Sequence, residues 1–168
     1  MSLVDRAATS TLPNLVQRNA EQDPRGAGIR EKTRGVWQTY DWTAYRDNVR
    51  DFALGLATLG FKRGDKLSVV GDNRPQLYFA QLSAQALGGI SVPVYQDSIA
   101  SELVYVLNHA ETSIIVAEDQ EQVDKVLSLK GQLPNLRWII YDDPRGLSFY
   151  NDPILKSFAS VLEEGRTP

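Results

Sequence analysis

The chain has no cysteine, one histidine and one methionine among its 168 residues. Without cysteine there is no disulfide framework, no thiolate nucleophile and no cysteine-held zinc. Long apolar runs are missing too: nothing approaches the roughly 18 uninterrupted apolar residues of a membrane-spanning helix. The opening stretch, Met1–Arg6, lacks the apolar core of a signal peptide. These absences point to a soluble protein of the reducing cytoplasm. No block of like charge exists either. Eighteen Lys and Arg are interspersed with 21 Asp and Glu for a net charge of −3, so no electrostatic footprint for nucleic acid is present. Internal repeats and low-complexity tracts are absent as well.

What remains is ordinary for a globular domain, with 42% hydrophobic and 23% charged residues. A chain of this size forms one domain and buries roughly 70% of its unfolded surface. Its most informative stretch is Asp65–Tyr95. Lys66–Gly71 is a short apolar, β-branched run ending in the turn formers Gly71-Asp72-Asn73. Pro75 then suits a first helical turn, and apolar positions from Leu77 through Tyr78, Leu82 and Leu87 keep near-helical spacing until Gly88-Gly89. Ile90–Tyr95 returns as a second strand. A helical connection of that length implies a right-handed parallel crossover.

The flanks continue the pattern. Thr11–Ala20 reads as a short helix capped by Thr11, and Ala27–Glu31 with Val36–Tyr40 reads as a hairpin around Lys32-Thr33-Arg34-Gly35. Asp41 caps a helix whose stripe is Tyr45, Val49, Phe52, Ala53, Leu56 and Leu59, leaving Arg46, Asp47, Arg50 and Asp51 on its other faces. After Tyr95, Ser98 caps a helix with Leu103, Val106, Leu107 and Ala110 inward. Ser113–Ala117 is a third strand, Gln120–Lys130 a helix ended by Gly131, and Arg137–Tyr141 a fourth strand. The strand–helix alternation predicts an α/β domain with a mainly parallel, Rossmann-like sheet flanked by helices and a peripheral N-terminal hairpin. Three segments follow: 1–60 (helix, hairpin and first long helix), 61–141 (alternation) and 142–168 (loop and incomplete helix). In the last of these, Ser160 with Glu163 signals a helix start just before the sequence stops.

Gly71-Asp72-Asn73-Arg74-Pro75, Ala86–Tyr95 and Ser98–Asn108 together resemble the N-terminal part of adenylate-forming (AMP-dependent) acyl-CoA synthetases, nearest to bacterial long-chain-fatty-acid–CoA ligases. Thr39–Val49, Tyr105–Glu111, Glu118–Lys125 and Tyr141–Leu147 extend the likeness over nearly the whole chain. The resemblance implies a truncated N-terminal subdomain. The whole enzyme would use ATP, Mg²⁺ and CoA to convert a fatty acid to an acyl-adenylate and then a thioester. Partners would be the remainder of its own chain and the fatty acid, with peripheral membrane association and self-association through the truncated face as further expectations. It also implies that the hairpin is scaffolding with a solvated, charged tip.

No Ser/Thr/Gly-rich phosphate loop bearing a Lys occurs, so no catalytic residue and no metal ligand is assigned, and the isolated chain is expected to be inactive. Two loops are candidates for ligand contact. Gly71–Pro75 lies at the carboxyl end of a strand and leads into a helix, yet has one glycine and then a proline, which favours a structural turn. Tyr95, Gln96 and Asp97 are, by resemblance, candidates to line the CoA or acyl channel; a loop that merely leads into the next helix is the alternative. His109 falls at a helix end with no nucleophile beside it and is read as structural. Asp142-Asp143 and Glu163-Glu164 are read as surface acids, and Trp37, Trp42 and Trp138 as packing residues. Two readings of other classes stay open. One is a free-standing Rossmann-like binding or regulatory module, although Gly71–Arg74 lacks a dinucleotide fingerprint and a phospho-receiver would need a fifth strand bearing a Lys, which the sequence does not display. The other is an interaction domain without ligands.

Overall fold

A computed structural model describes residues 10–167; the Met1–Arg6 segment lies outside them. The elements are α1 (Leu12–Gln22), β1 (Ala27–Thr33), β2 (Val36–Asp41), α2 (Trp42–Thr58), β3 (Lys66–Val70), α3 (Pro75–Ala86), β4 (Ile90–Val94), α4 (Ala100–His109), β5 (Ile114–Ala117), α5 (Gln120–Leu129), β6 (Trp138–Tyr141), β7 (Leu155–Ser157) and α6 (Phe158–Arg166). β1 and β2 form an antiparallel hairpin. The other five strands make one all-parallel sheet in the order β4-β3-β5-β6-β7.

The strands are apolar because both sheet faces are covered. On one side α1, α2, α3 and α6 enclose Phe52, Leu56, Leu67, Val69, Phe79, Ile114, Val116 and Phe158. On the other, α4 and α5 enclose Val70, Leu103, Leu107, Ile115, Val123, Val126 and Ile139. Alternate residues of β3 and β5 thus feed opposite cores, as the two-residue period of a strand requires. The α/β expectation is met.

Local chemistry explains most boundaries. The Thr11 hydroxyl accepts from Asn14 N–H at 3.4 Å, and the Asp41 carboxylate accepts from Ala44 N–H at 2.7 Å, as N-caps do. Arg34 and Gly35 both have positive φ, 50° and 82°, the turn that lets strands pair directly from Thr33 to Val36.

Several expectations are corrected. Ser98 does not cap α4; that helix starts after Ile99 with no side-chain cap, while Ser98 N–H closes a turn onto Tyr95 O at 3.1 Å. The buried face of α3 is Leu77, Phe79, Ala80, Ser83 and Ala84. α3 is wedged between sheet and α2, so its inward surface is wider than one stripe, and the Ser83 hydroxyl satisfies itself on Val49 O and Phe79 O, both at 2.7 Å. Asp51 is buried: Arg166 and Arg50 bond its two oxygens, each at 2.9 Å. Burial alone would raise its carboxyl, but the two guanidiniums outweigh it and hold the group below the usual range. Trp37 does not pack, being 64% exposed. α5 ends at Leu129 and a 3₁₀ turn, Lys130–Gln132, carries the chain past Gly131.

The largest correction is at the end of the chain. The loop after Tyr141 leads to a fifth parallel strand, β7, on Leu155-Lys156-Ser157. Ser157, not Ser160, caps α6, accepting from Ser160 N–H at 3.0 Å. A three-residue strand cut from the end of a loop carries too little periodicity to be read. α6 then lies on α2 with Phe158 stacked on Phe52 at 4.1 Å. A Cβ at Gly55 would fall on the carbonyl of Val161, and one at Gly165 on that of Asp51, so both positions need glycine for the helices to approach.

Candidate functional site

The sheet grows outward in both directions from β3: β4 lies on one side, β5, β6 and β7 on the other. Open α/β sheets bind ligands at the carboxyl edge beside such a reversal. Here that edge carries the two loops singled out in the sequence, and they meet in one cleft of about 440 Å³. Asp72, Asn73, Tyr95, Gln96 and Asp97 line it, with Leu77, Tyr78 and Gln81 of α3 forming a wall. Gln96 joins the two loops. Its side-chain amide donates to Asp72 Oδ1 at 2.9 Å, and its own carbonyl accepts from Lys125 Nζ. Tyr95 stands 87% exposed at the mouth. Asp97 is exposed and Gln96 half-buried, so the three candidates share a cleft but differ in setting.

A second, mainly apolar groove of about 500 Å³ lies next to the cleft, sharing Tyr78 and Gln81 with it. Leu12, Leu15, Val16, Trp42 and Leu82 supply its walls. A cleft of mixed polarity and a mainly apolar groove thus lie side by side along α3.

The turn Gly71–Pro75, which lines the cleft through Gly71, Asp72 and Asn73, also meets the end of β5 at the reversal point between β3 and β5. Glu118, which follows β5 and is 8% exposed, places its carboxylate there. It accepts from Asp72 N–H at 2.5 Å and from Arg74 Nε at 2.7 Å, while Arg74 also reaches Glu31 of β1 at 3.0 Å. Two further amides of the turn are engaged, Arg74 N–H with Asp72 O at 2.7 Å and Leu77 N–H with Arg74 O at 3.1 Å, and Pro75 has none. The position where a phosphate would meet backbone amides is filled by the chain's own carboxylate. Glu118 thus ties the turn to β5 through the Asp72 amide and the Arg74 guanidinium.

Asp142 completes the cluster. It is half-buried, not a free surface acid, and its carboxyl is pushed up to about 7. Burial is the main cause, followed by the charges of Glu31, Asp143 and Glu118, with Arg74 opposing. Asp143 behaves as expected of a surface acid: its hydrogen bonds to Arg145 hold its carboxyl below the usual range. Glu118 and Lys125 entered the sequence reading only as part of the family likeness, and Asp142 only as a surface acid, so none was assigned to the site. The usable signal was position, since Glu118 and Asp142 each directly follow a buried strand and so must lie at the carboxyl edge.

Other candidates resolve simply. His109 ends α4 and stacks on Tyr105 at 5.8 Å. Lys156 does sit on a fifth strand, contrary to expectation. It bonds Glu164 at 2.6 Å and lies over the Trp138 ring, while Asp72 is held by Gln96 and Asp119 caps α5, so no receiver-type acid–lysine pocket is assembled. Among the described residues, no group of three or more His, Cys, Asp or Glu could hold a metal.

A family model for AMP-binding enzymes matches residues 16–158. The chain belongs to the AMP-binding enzyme family. An uncharacterized Mycobacterium tuberculosis protein is 38% identical over 117 residues, which are 70% of this chain and 65% of that relative. A long-chain-fatty-acid–CoA ligase of Xenopus laevis is 29% identical over 130 residues, 77% of this chain but 18% of the ligase. Among solved structures, a long-chain-fatty-acid–CoA ligase from Rhodopseudomonas palustris superposes with a TM-score of 0.76 at 20% identity, covering 90% of this chain and 36% of that one. The AMP complex of a carboxylic acid reductase didomain from Segniliparus rugosus gives 0.79 at 15% identity, covering 98% and 28%. This chain therefore shares the fold of adenylate-forming enzymes while spanning less than two thirds of its relatives.

Proposed function

We propose that this AMP-binding family chain is the N-terminal subdomain of an AMP-forming acyl-CoA ligase acting on long-chain fatty acids. The observation that carries the reading is the match over residues 16–158, with a cleft at the carboxyl edge and an apolar groove beside it. In this reading the whole enzyme uses ATP, Mg²⁺ and CoA, and the present residues brace the nucleotide-binding part supplied by the rest of the polypeptide. Tyr95, Gln96 and Asp97 wall the acyl or CoA channel, with Gln96 held in place by Asp72 and Lys125. No step is assigned to ATP here, because the sequence has no Ser/Thr/Gly-rich phosphate loop bearing a Lys.

The expected outcome is that pure residues 1–168 form no acyl-CoA from palmitate, ATP, Mg²⁺ and CoA, whereas fusion to the remaining part of a ligase of this family restores turnover. Turnover by the isolated chain overturns the reading, as does a fusion that folds yet shows no adenylation. A second reading has one observation in its favour. The matched 117 residues are 65% of the mycobacterial relative but the match to the Xenopus laevis ligase is 18% of that protein, so in one relative this unit makes up most of the protein. A free-standing binding module would be the result if the folded chain alone retained a fatty acid or acyl-CoA in equilibrium dialysis.

A further inference from the structure

The β1–β2 hairpin is a separate two-stranded sheet, not hydrogen-bonded to the five-stranded one, and its two faces are unlike. Ile29 and Tyr40, paired across the strands, pack on the core, and Glu31 on the same face is tied to Arg74. The opposite face carries the cross-strand pairs Arg30–Thr39 and Lys32–Trp37, all exposed, with Arg34 at the turn. Glu31, the only acid in β1, points away from this face. Among the described residues none of Arg30, Lys32 and Arg34 has an ion-pair partner. A shallow depression of about 210 Å³ lies between Arg30, Trp37 and Thr39. Beside it, at the tip, Val36 is also exposed.

We propose that this outer face docks on an anionic lipid bilayer, with Trp37 at headgroup level and Arg30, Lys32 and Arg34 against lipid phosphates. The chemistry follows from side-chain type. An indole has an apolar body and one N–H, which suits the boundary between acyl chains and water. Cations placed just above that boundary feel the negative potential of the leaflet, and Arg and Lys stems extend along apolar surface while their charges stay solvated. Geometry favours a membrane over a nucleic acid or an acidic peptide. A convex two-residue turn with one aromatic and one apolar residue has neither a groove to track a backbone nor successive rings on which bases could stack. Trp37, Arg30 and Lys32, which share the outer face, meet a flat, deformable surface together. The net charge of −3 sharpens the inference, because the chain as a whole is repelled by an anionic membrane and binding must come from a local patch.

The test is co-sedimentation of the full chain with vesicles of phosphatidylcholine alone or mixed with phosphatidylglycerol. Binding is expected only to the mixed vesicles and should weaken as salt screens the patch. Each cation contributes roughly fivefold, so Arg30→Gln, Lys32→Gln and Arg34→Gln together should cost about 100-fold. Trp37→Ala should also weaken binding and abolish the blue shift of tryptophan emission that vesicles induce. All four side chains are exposed, so circular dichroism should show the variants folded. Absence of binding, equal binding to neutral vesicles, or no loss in the triple variant overturns the proposal. So does a poly-glutamate peptide that binds more tightly than the vesicles and competes with them, which would assign the face to an acidic protein.

Discussion

Replacing Asp142 by Asn should make the protein more stable, and increasingly so as pH rises. Asp142 N–H donates to Ala117 O at 3.0 Å, a bond that the substitution keeps, and Asn matches the neutral acid in shape. In the fold the carboxyl titrates at about 7 instead of 3.8, so the folded state binds its proton more tightly than the unfolded one. Stability linked to this group is therefore intact below the unfolded value. It is lost progressively as pH climbs from about 4 to about 7. At about 1.4 kcal/mol per tenfold change in proton affinity, the whole effect is at most about 4 kcal/mol. Of this, about 2–3 kcal/mol falls between pH 5 and 8. The assay is urea unfolding of both proteins across that range, read as the difference between them so that other titrating groups cancel. A difference that stays constant with pH would refute the reasoning, and one that shrinks as pH rises would reverse its sign.

Two further substitutions probe the contacts that hold the layers together. Phe158→Ala removes the ring stacked on Phe52 and should cost about 3–5 kcal/mol, seen as a lower urea midpoint; a midpoint within error of the parent would mean that α6 is not part of the cooperative core. Arg74→Gln leaves the buried Glu118 carboxylate without its guanidinium and frees Glu31, so a loss of about 1–3 kcal/mol is expected. Hydrogen exchange should show the hairpin losing protection first, and unchanged protection there would disconnect Arg74 from the hairpin's position.

The central strand–helix–strand unit was legible because each signal agreed with the next: the β-branched pair Val69-Val70, turn residues at Gly71–Asn73, Pro75 at the helix start and Gly88 at its end. The Asp41 cap and the stripe Tyr45–Leu56 were legible for the same reason. What could not be read were relations between distant residues. Phe79 and Ser83 look misplaced on a single-stripe helix and make sense only once α2 lies across them. Asp51 sits among charged residues in sequence, and its burial depends on Arg166, 115 residues away. At the site, the sequence placed Tyr95, Gln96 and Asp97 on one loop but could not show that Asp72 reaches Gln96. Nor could it show that Glu118 occupies the neighbouring turn, since strand order alone brings these groups together.

The seating of α6 on α2 bears on how the protein is made. Phe52 and Leu56 are fully covered, yet part of their cover comes from Phe158 and Val161, and the closing Arg166–Asp51 bond joins residues 115 apart. At about 5–20 residues per second, a ribosome that has released α2 needs on the order of ten seconds to deliver α6. During that interval the nascent chain carries an uncovered apolar seam, and the hairpin, α1 and α3 must assemble around a helix that lacks its last neighbour. Completion of this core is therefore timed by translation, and the seam is the surface that a chaperone would meet.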